Sequence, residues 1–156
     1  MKNIFFYETK LGKIGIAEEN GSITDLFIGK DSHAPSEFLE NETGVIKKAH
    51  EELVEYLDGK RKVFTVPLSP SGTDFQKRVW DALLAIPYGE TRSYKEIARY
   101  ISNPKACRAV GGANGKNPIA IFIPCHRVIS SDGALGGFSS GIEYKKRLLE
   151  IERSRI

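Results

Sequence analysis

The sequence of 156 residues is long enough for one large domain or two small ones, and its 40% hydrophobic and 28% charged residues are ordinary for a globular protein. Two cysteines without a Cys-x-x-Cys pair exclude a disulfide framework and a cysteine zinc site, and no stretch approaches the ~20 apolar residues of a membrane span. The net charge of +3 is uneven: residues 1–70 contain 9 Lys/Arg and 12 Asp/Glu, whereas residues 71–156 contain 14 and 8. We therefore expect a reduced, cytoplasmic protein with a polyanion partner for its C-terminal half and with no cofactor, metal or membrane partner.

The first 28 residues are predicted to form β-structure. Short apolar or alternating runs cover residues 4–7, 14–17 and 23–28. Between the last two runs, the Asn20-Gly21 pair predicts a hairpin because both residue types tolerate a positive φ.

A charged segment then shows helical character. Over residues 36–58 the apolar side chains recur at helical spacing, and the pattern stops at Gly59. We expect a further strand over 62–66. The Pro/Gly/Ser-rich segment 67–72 has the composition of a linker, so we place a domain boundary there, between residues 1–70 and 71–156.

The C-terminal half is predicted to be helical. Its expected helices cover residues 73–86, 93–101, 104–114 and 143–152. Ser93 and Glu96 form a capping box at the start of the second helix, and Pro104 suits the first position of the third. The second and third helices, joined by a tight turn, predict a helix-turn-helix.

The third helix has two different faces. One face is expected to carry Ala106, Ala109, Val110 and Ala113, and the other Lys105, Arg108 and Gly112. Two glycines inside a helix cost about 1 kcal/mol each relative to alanine, which indicates close approach of another molecule. From Arg92 to Arg127 there are seven basic residues against one acidic residue, which suits a nucleic-acid partner; a solvated basic face and a generic helix pair are the alternatives.

The segment Ile123–Ile129 contains Cys125, followed directly by His126 and Arg127. A thiol needs help to become a nucleophilic thiolate at neutral pH, and these neighbours can supply a base and positive potential. Glu152, on the inner face of the last helix, can orient the imidazole. Adjacent residues of an extended chain point to opposite sides, so contact would need a bend or a bridging water. A buried structural cysteine beside a core histidine is the alternative reading of this pair.

Several further motifs occur in a fixed order: Tyr88-Gly89, Ser93-Tyr94, Arg108–Ala113, Asn117-Pro118 and Pro124–Val128. On these motifs the chain resembles the O6-alkylguanine-DNA alkyltransferases over essentially its whole length. The resemblance implies an α/β protein with an N-terminal β-rich ribonuclease H-like domain, 1–70. It also implies a C-terminal winged helix-turn-helix domain, 71–156, that binds DNA and holds the reactive site.

The activity implied by the resemblance is direct repair of alkylated double-stranded DNA by a monomer. The protein would flip the damaged nucleotide out of the duplex and transfer the alkyl group of O6-alkylguanine or O4-alkylthymine irreversibly to Cys125. Each molecule would act once. The chain has no N-terminal cysteines for the zinc site of some animal relatives, and Cys107 is expected only to fill space in a helix.

The resemblance also assigns residues. The expected catalytic residues are Cys125, His126, Glu152, Tyr94 and Asn117. The expected DNA-binding residues are Arg108, Tyr94, Lys105, Ala106, Gly112 and Arg127. The expected substrate-binding residues are Ser139, Phe138, Val128 and Lys145. In this assignment Arg108 fills the vacated place in the base stack, Tyr94 promotes flipping and protonates the leaving base, and Phe138 stands where many relatives have tyrosine.

Three other classes of protein are less compatible with these motifs. A non-catalytic lesion binder of the same fold would lack the acceptor, whereas Cys125 is present. A sequence-specific helix-turn-helix regulator leaves the Pro124–Arg127 run unexplained. A thiol protease leaves the basic face of the third helix unexplained.

Overall fold

A three-stranded antiparallel meander begins the chain in the computed structural model, which describes residues 1–135 and 141–154. Its strands are β1 (Asn3–Thr9), β2 (Gly12–Glu19) and β3 (Ser22–Ile28). The β2–β3 turn contains Asn20 and Gly21, both with positive φ (54° and 83°), so the hairpin prediction is confirmed. In β2 the five consecutive residues 14–18 are buried, and in β3 Ile23, Thr24 and Leu26 are buried.

The helical spacing predicted within the charged segment 36–58 is confirmed, although the helix does not fill the whole segment. Helix α1 covers Gly44–Leu57, and before it β4 (Leu39–Glu40) pairs in parallel with β1. The backbone N–H of Leu39 donates to the carbonyl of Lys2 at 2.9 Å, which fixes this pairing. The sheet order is therefore β3-β2-β1-β4, with the buried side of α1 contacting β1, β2 and β3.

The strand expected over 62–66 is absent from this described segment. Its polar groups bind a helix instead of a neighbouring strand: the backbone N–H and the hydroxyl of Thr65 both donate to the buried carboxylate of Glu52 on α1. The chain meets the sheet only afterwards, where Leu68 forms an isolated bridge with Ile23. With this segment the first compact unit, Met1–Pro70, is complete.

The second unit, Ser71–Ile156, consists mainly of helices. They are α2 (Asp74–Leu84), α3 (Tyr94–Tyr100), α4 (Cys107–Gly115) and α5 (Ile142–Arg153). Complete capping boxes begin α2 at Thr73 and α3 at Ser93, as the sequence predicts for Ser93. The indole N–H of the buried Trp80 donates to the carbonyl of Ala113 at 2.9 Å and thereby joins α2 to α4.

Helix α4 begins later than the sequence predicts. Pro104 lies in a turn closed by a hydrogen bond from the N–H of Ala106 to the carbonyl of Asn103 at 3.0 Å, and the helix starts at Cys107. The predicted faces are largely confirmed: Val110 and Ala113 are buried, with Asn114 beside them. Ala109, expected inside, is exposed.

Two short strands complete this unit. The strand β5 (Arg92–Ser93) pairs in parallel with β6 (Val128–Ile129), so that Arg92 lies opposite Val128 and Ser93 opposite Ile129. The pairing joins the start of α3 to the segment that follows the cysteine. Among the described helices of both units, none combines the length and the apolar character that crossing a bilayer requires.

Candidate active site

The cysteine lies in a short 3-10 helix, Cys125–Arg127, which is the cysteine turn of this site and supplies a bend at the Cys125–His126 pair. The N–H of Arg127 donates to the carbonyl of Pro124 at 3.0 Å, which closes this turn. Cys125 is 2% exposed and His126 is fully buried. In this bend the two side chains need not point to opposite sides, as they would in a strand. Both are therefore buried in the same region, and the His126 ring reaches Glu152 on α5.

The turn before Cys125 is held by an asparagine. The side-chain amide of Asn117 donates to the carbonyl of Ile123 at 2.8 Å, and its oxygen accepts from the N–H of Ile119 at 3.0 Å. Between them, the buried Ile121 has a φ of 76°, a strained conformation for a β-branched residue that the surrounding structure must maintain. Asn117, one of the expected catalytic residues, thus holds the backbone just before Cys125.

A second asparagine supports the turn that contains Cys125 itself. The side-chain amide of the buried Asn114 donates to the carbonyl of Cys125 at 3.3 Å. The sequence motifs do not single out Asn114, although a polar residue beside Ala113 on the buried face of a helix is a usable signal. It connects α4 directly to the cysteine turn.

The carboxylate of Glu152 on α5 accepts hydrogen bonds from the polar groups next to the cysteine turn. Its Oε2 lies 2.7 Å from Nε2 of His126 and accepts from Nη2 of Arg127 at 3.0 Å. Its Oε1 accepts from Nε of Arg127 at 2.8 Å and from the N–H of Gly89 at 3.1 Å. The carboxylate is 1% exposed, so these partners replace the water that burial removes.

This network surrounds Arg127, which the resemblance assigns to DNA binding, with partners inside the protein. Its side chain is buried, with two nitrogens on Glu152 and a third, Nη1, donating to the carbonyl of Ile86 at 2.8 Å. The Tyr88 ring lies 5.7 Å from its guanidinium carbon. Each of its three nitrogens thus donates to a partner inside the protein, which uses three of the five N–H groups.

The electrostatics of the site favour neutral forms of cysteine and histidine. Burial raises the pKa of Cys125 to about 11, although the Asn117 hydrogen bond and the Lys145 charge act in the opposite direction. Burial lowers the pKa of His126 despite the nearby carboxylate. Burial alone would raise the pKa of Glu152, but the hydrogen bonds from His126 and Arg127 lower it to about 2.

These protonation states identify the basic nitrogen of the histidine. With His126 neutral and Glu152 ionised at pH 7, Nε2 carries the proton and donates it to Oε2. Nδ1 is then the nitrogen that can accept a proton. The set of thiol, imidazole and carboxylate has the order of a nucleophile, a base and the group that orients the base.

Lys145 is fully buried on α5, and its ammonium donates to the carbonyl of Val128 at 2.6 Å. Burial lowers the pKa of Lys145, whereas the nearby Cys125 raises it. Lys145 and Val128, both expected to bind substrate, are thus brought together beside the cysteine turn. A positive charge in this position favours the thiolate when it forms.

Tyr94 reaches the same region from the start of α3, because β5 pairs with β6. A Cβ on Gly111 of α4 would lie 3.9 Å from its ring, so the tyrosine packs beside the helix-turn-helix. Burial raises the pKa of Tyr94, and the charges of Cys125 and Cys107 add to this increase. Its hydroxyl therefore stays protonated at neutral pH.

The outer face of α4 is basic and carries small residues. Arg108, Ala109 and Gly112 are exposed on the helix, and Lys105 is exposed just before it, with Ala106 half-buried. A Cβ added to Gly112 would meet nothing within 4 Å, so the packing of this unit does not require a glycine there.

Of the expected substrate-binding residues, Ser139 and Phe138 lie outside the described residues. Within 1–135 and 141–154, no group of three His, Cys, Asp or Glu side chains could hold a metal ion.

The fold and the site define a class: a β-rich unit followed by a helix-turn-helix unit in which a buried cysteine adjoins a histidine–glutamate pair. The ribonuclease-like domain of 6-O-methylguanine DNA methyltransferase matches residues 5–70, and the DNA binding domain of 6-O-methylguanine DNA methyltransferase matches residues 74–154. The chain belongs to the 6-O-methylguanine DNA methyltransferase family. The expected family and the expected fold class are both confirmed.

Individual relatives are similar in sequence to this chain over nearly its whole length. A methylated-DNA–protein-cysteine methyltransferase of Methanosarcina acetivorans is 48% identical over 151 residues, which is 95% of this chain and 96% of the relative. The constitutive methylated-DNA–protein-cysteine methyltransferase of Bacillus subtilis is 49% identical over 152 residues, covering 94% and 92%. The crystal structure of Mycobacterium tuberculosis OGT in complex with DNA has a TM-score of 0.91 at 44% identity, covering 98% of this chain and 94% of that one.

Proposed function

We propose that this protein repairs alkylated DNA by transferring the alkyl group of O6-alkylguanine, and of O4-alkylthymine, to Cys125. The observation that carries the proposal is the buried Cys125 thiol, followed in one turn by His126, which is hydrogen-bonded to Glu152. The family to which the chain belongs, and its named methyltransferase relatives, support this reaction class. The partner is double-stranded DNA that contains an alkylated base.

DNA would bind to the outer face of α4. The exposed Arg108 and Lys105 supply positive charge for the phosphates, and Gly112 leaves room for close backbone approach. The alkyl group cannot be reached inside the base stack, so the nucleotide would be flipped toward Cys125. Arg108 would occupy the vacated place, and Tyr94 would promote the flip from its position beside Gly111.

The transfer itself is a displacement at carbon. The sulfur of Cys125 forms a bond to the alkyl carbon while the bond from that carbon to the base oxygen breaks. The thiol proton passes through a bridging water to Nδ1 of His126, and the hydroxyl of Tyr94 donates a proton to the base, which leaves neutral. Because the pKa of Cys125 is raised, the proton leaves only as the new bond forms.

Three further residues would support this reaction. Asn117 holds the turn before the cysteine, and Lys145 stabilises the developing thiolate charge while it fixes the Val128 carbonyl that reads the base edge. All of these residues come from residues 71–156 of a single chain, so a monomer suffices. The product is a thioether, which this network cannot hydrolyse, so each molecule acts once.

The test is incubation with duplex DNA that contains O6-methylguanine, followed by intact-protein mass and peptide mapping. We expect Cys125 to gain one methyl group and transfer to stop when each protein molecule has accepted one. Cys125→Ser should bind the duplex without removing methyl groups, and the matched Cys107→Ser variant should retain transfer. Methyl transfer by Cys125→Ser, or a methyl group found on Cys107, would contradict the proposal; binding without transfer by the unaltered protein would indicate a non-catalytic lesion binder.

A further inference from the structure

The carboxylate of Glu152 has no capacity left for another strong hydrogen bond. Two carboxylate oxygens offer about four lone-pair sites. Here Oε1 accepts from Arg127 and Gly89, and Oε2 accepts from Arg127 and His126, at distances from 2.7 to 3.1 Å. Arg127 alone occupies one site on each oxygen.

The guanidinium of Arg127 is itself fixed from several directions. Besides Glu152 on α5, it binds the carbonyl of Ile86, just after α2, through Nη1 at 2.8 Å. The Tyr88 ring approaches it from the turn that follows α2. Arg127 therefore joins three parts of the unit, α2 with its following turn, the cysteine turn and α5, at the group that orients His126.

The charges that face His126 come from two elements. Glu152 and Lys145 lie on α5, and Arg127 lies on the histidine's own turn, beside the neutral thiol of Cys125. Two cations and one anion thus surround the imidazole. The carboxylate of Glu152 on its own would raise the pKa of the imidazole. Burial opposes that effect most strongly, and the paired arginine adds to the opposition, because it binds the carboxylate and places a like charge near the ring.

We propose that Arg127 is a positioning residue for the alkyl transfer: its fork holds both oxygens of Glu152 and thereby orients His126, with the proton on Nε2 and with Nδ1 as the base. This inference rests on the proposed function. An arginine suits the role because its planar guanidinium binds a carboxylate through two parallel hydrogen bonds, whereas a lysine ammonium acts as a point charge. The histidine then accepts the thiol proton only while sulfur attacks.

The test compares Arg127→Lys with a matched control, Arg61→Lys, which alters an arginine paired with Glu52 and Glu55 in the first unit. The first measurement is an NMR titration of the His126 ring nitrogens in the DNA-free protein. In the unaltered protein and in the control, we expect a neutral ring at pH 7 with the proton on Nε2. In Arg127→Lys we expect the titration midpoint of His126 to rise by about one pH unit, because a single ammonium no longer holds both carboxylate oxygens.

The second measurement is the pH dependence of the single-turnover transfer rate. The acidic limb of this profile should move upward with the His126 midpoint in Arg127→Lys and stay in place in Arg61→Lys. A folded Arg127→Lys protein with an unchanged midpoint and profile would overturn the role of Arg127. A proton on Nδ1 in the unaltered protein would also overturn it, even if the variant does not fold. The NMR titration needs no DNA, so failure of the proposed function would appear separately, as absence of transfer in the unaltered protein.

Discussion

Cys125 is protected as a thiol until a substrate reaches it. Its burial raises the pKa of the thiol to about 11, well above the pKa of a free cysteine. Little of the reactive thiolate is therefore present at neutral pH. The groups that favour the thiolate, Asn117, Lys145 and the His126–Glu152 pair, are all buried or half-buried around it. Its reactivity therefore depends on a substrate that places its alkyl carbon in line with the sulfur. It does not depend on thiolate already present in the free protein.

This protection predicts an unusual order of labelling by iodoacetamide. At neutral pH in the native protein, we expect Cys107 to react first, because it is partly exposed whereas Cys125 is buried with a raised pKa. Peptide mass mapping at several times gives the two rates. In urea, where both side chains are exposed, the rates should become similar. Equal labelling of both cysteines in the native protein would contradict the protected state of Cys125.

The sequence predicts the reactive residues better than the residues that hold them. Cys125, His126 and Glu152 could be brought together from their motif and from helical spacing, and the structure places His126 against Glu152. For Arg127 the motif suggests DNA binding and does not reveal that the side chain is buried against a carboxylate. Asn114 was missed, because its partner is a backbone carbonyl and its only signal is a polar side chain beside Ala113 on the buried face of α4.

At the scale of elements, α4 accepts a helix-weakening residue that its own packing does not need. Gly112 is exposed, and a Cβ there would meet nothing within 4 Å. A residue that lowers helix stability without a packing reason is best explained by a partner that approaches the backbone. The proposed DNA-binding face provides that reason.

Replacing Gly112 by alanine should separate stability from binding. We expect Gly112→Ala to raise the free energy of unfolding by up to about 1 kcal/mol, because alanine favours the helix, and to weaken binding to duplex DNA. Urea unfolding and fluorescence anisotropy with a labelled duplex measure the two effects. Gly44→Ala, in the open first position of α1, is the matched control and should leave DNA affinity unchanged. Unaltered affinity in Gly112→Ala would contradict the close approach.

The elements that the sequence predicts well are those with local signals. The β1–β3 meander and the capped start of α3 follow from the turn and the capping box. The strands β4 and β5–β6 have only two residues each and owe their existence to distant partners, so no periodicity could reveal them. The start of α4 was predicted too early, at Pro104, because the fixed φ of proline suits a turn as well as a first helical position.

At the scale of the whole molecule, the buried network should make the second unit sensitive to acid. His126 has a lowered pKa in the folded state, and Glu152 has a pKa of about 2. In both cases the unfolded chain binds more protons, so stability rises with pH and is lost on acidification. For His126 the loss begins as the pH falls below its ordinary value of 6.5, and for Glu152 it follows below 4.5, toward about 2.

Hydrogen exchange measures this loss directly. We expect the amide protection of α5 to fall steadily as the pH is lowered through 6.5, after correction for the intrinsic exchange rate. His50 in the first unit also has a pKa lowered by burial, so His50→Gln is the control. That variant should retain the acid sensitivity of α5. Constant protection of α5 in the unaltered protein between neutral pH and the titration of Glu152 would contradict the prediction.

The hydrogen bond from Trp80 to Ala113 gives the molecule an optical probe of its own. Trp80 is the chain's single tryptophan, so indole fluorescence arises from the second unit and from no other part of the protein. The indole is buried and bonded to the last turns of α4, the helix proposed to meet DNA. Its emission wavelength should therefore report both the unfolding of this unit and any displacement of α4 when a duplex binds, without an added dye.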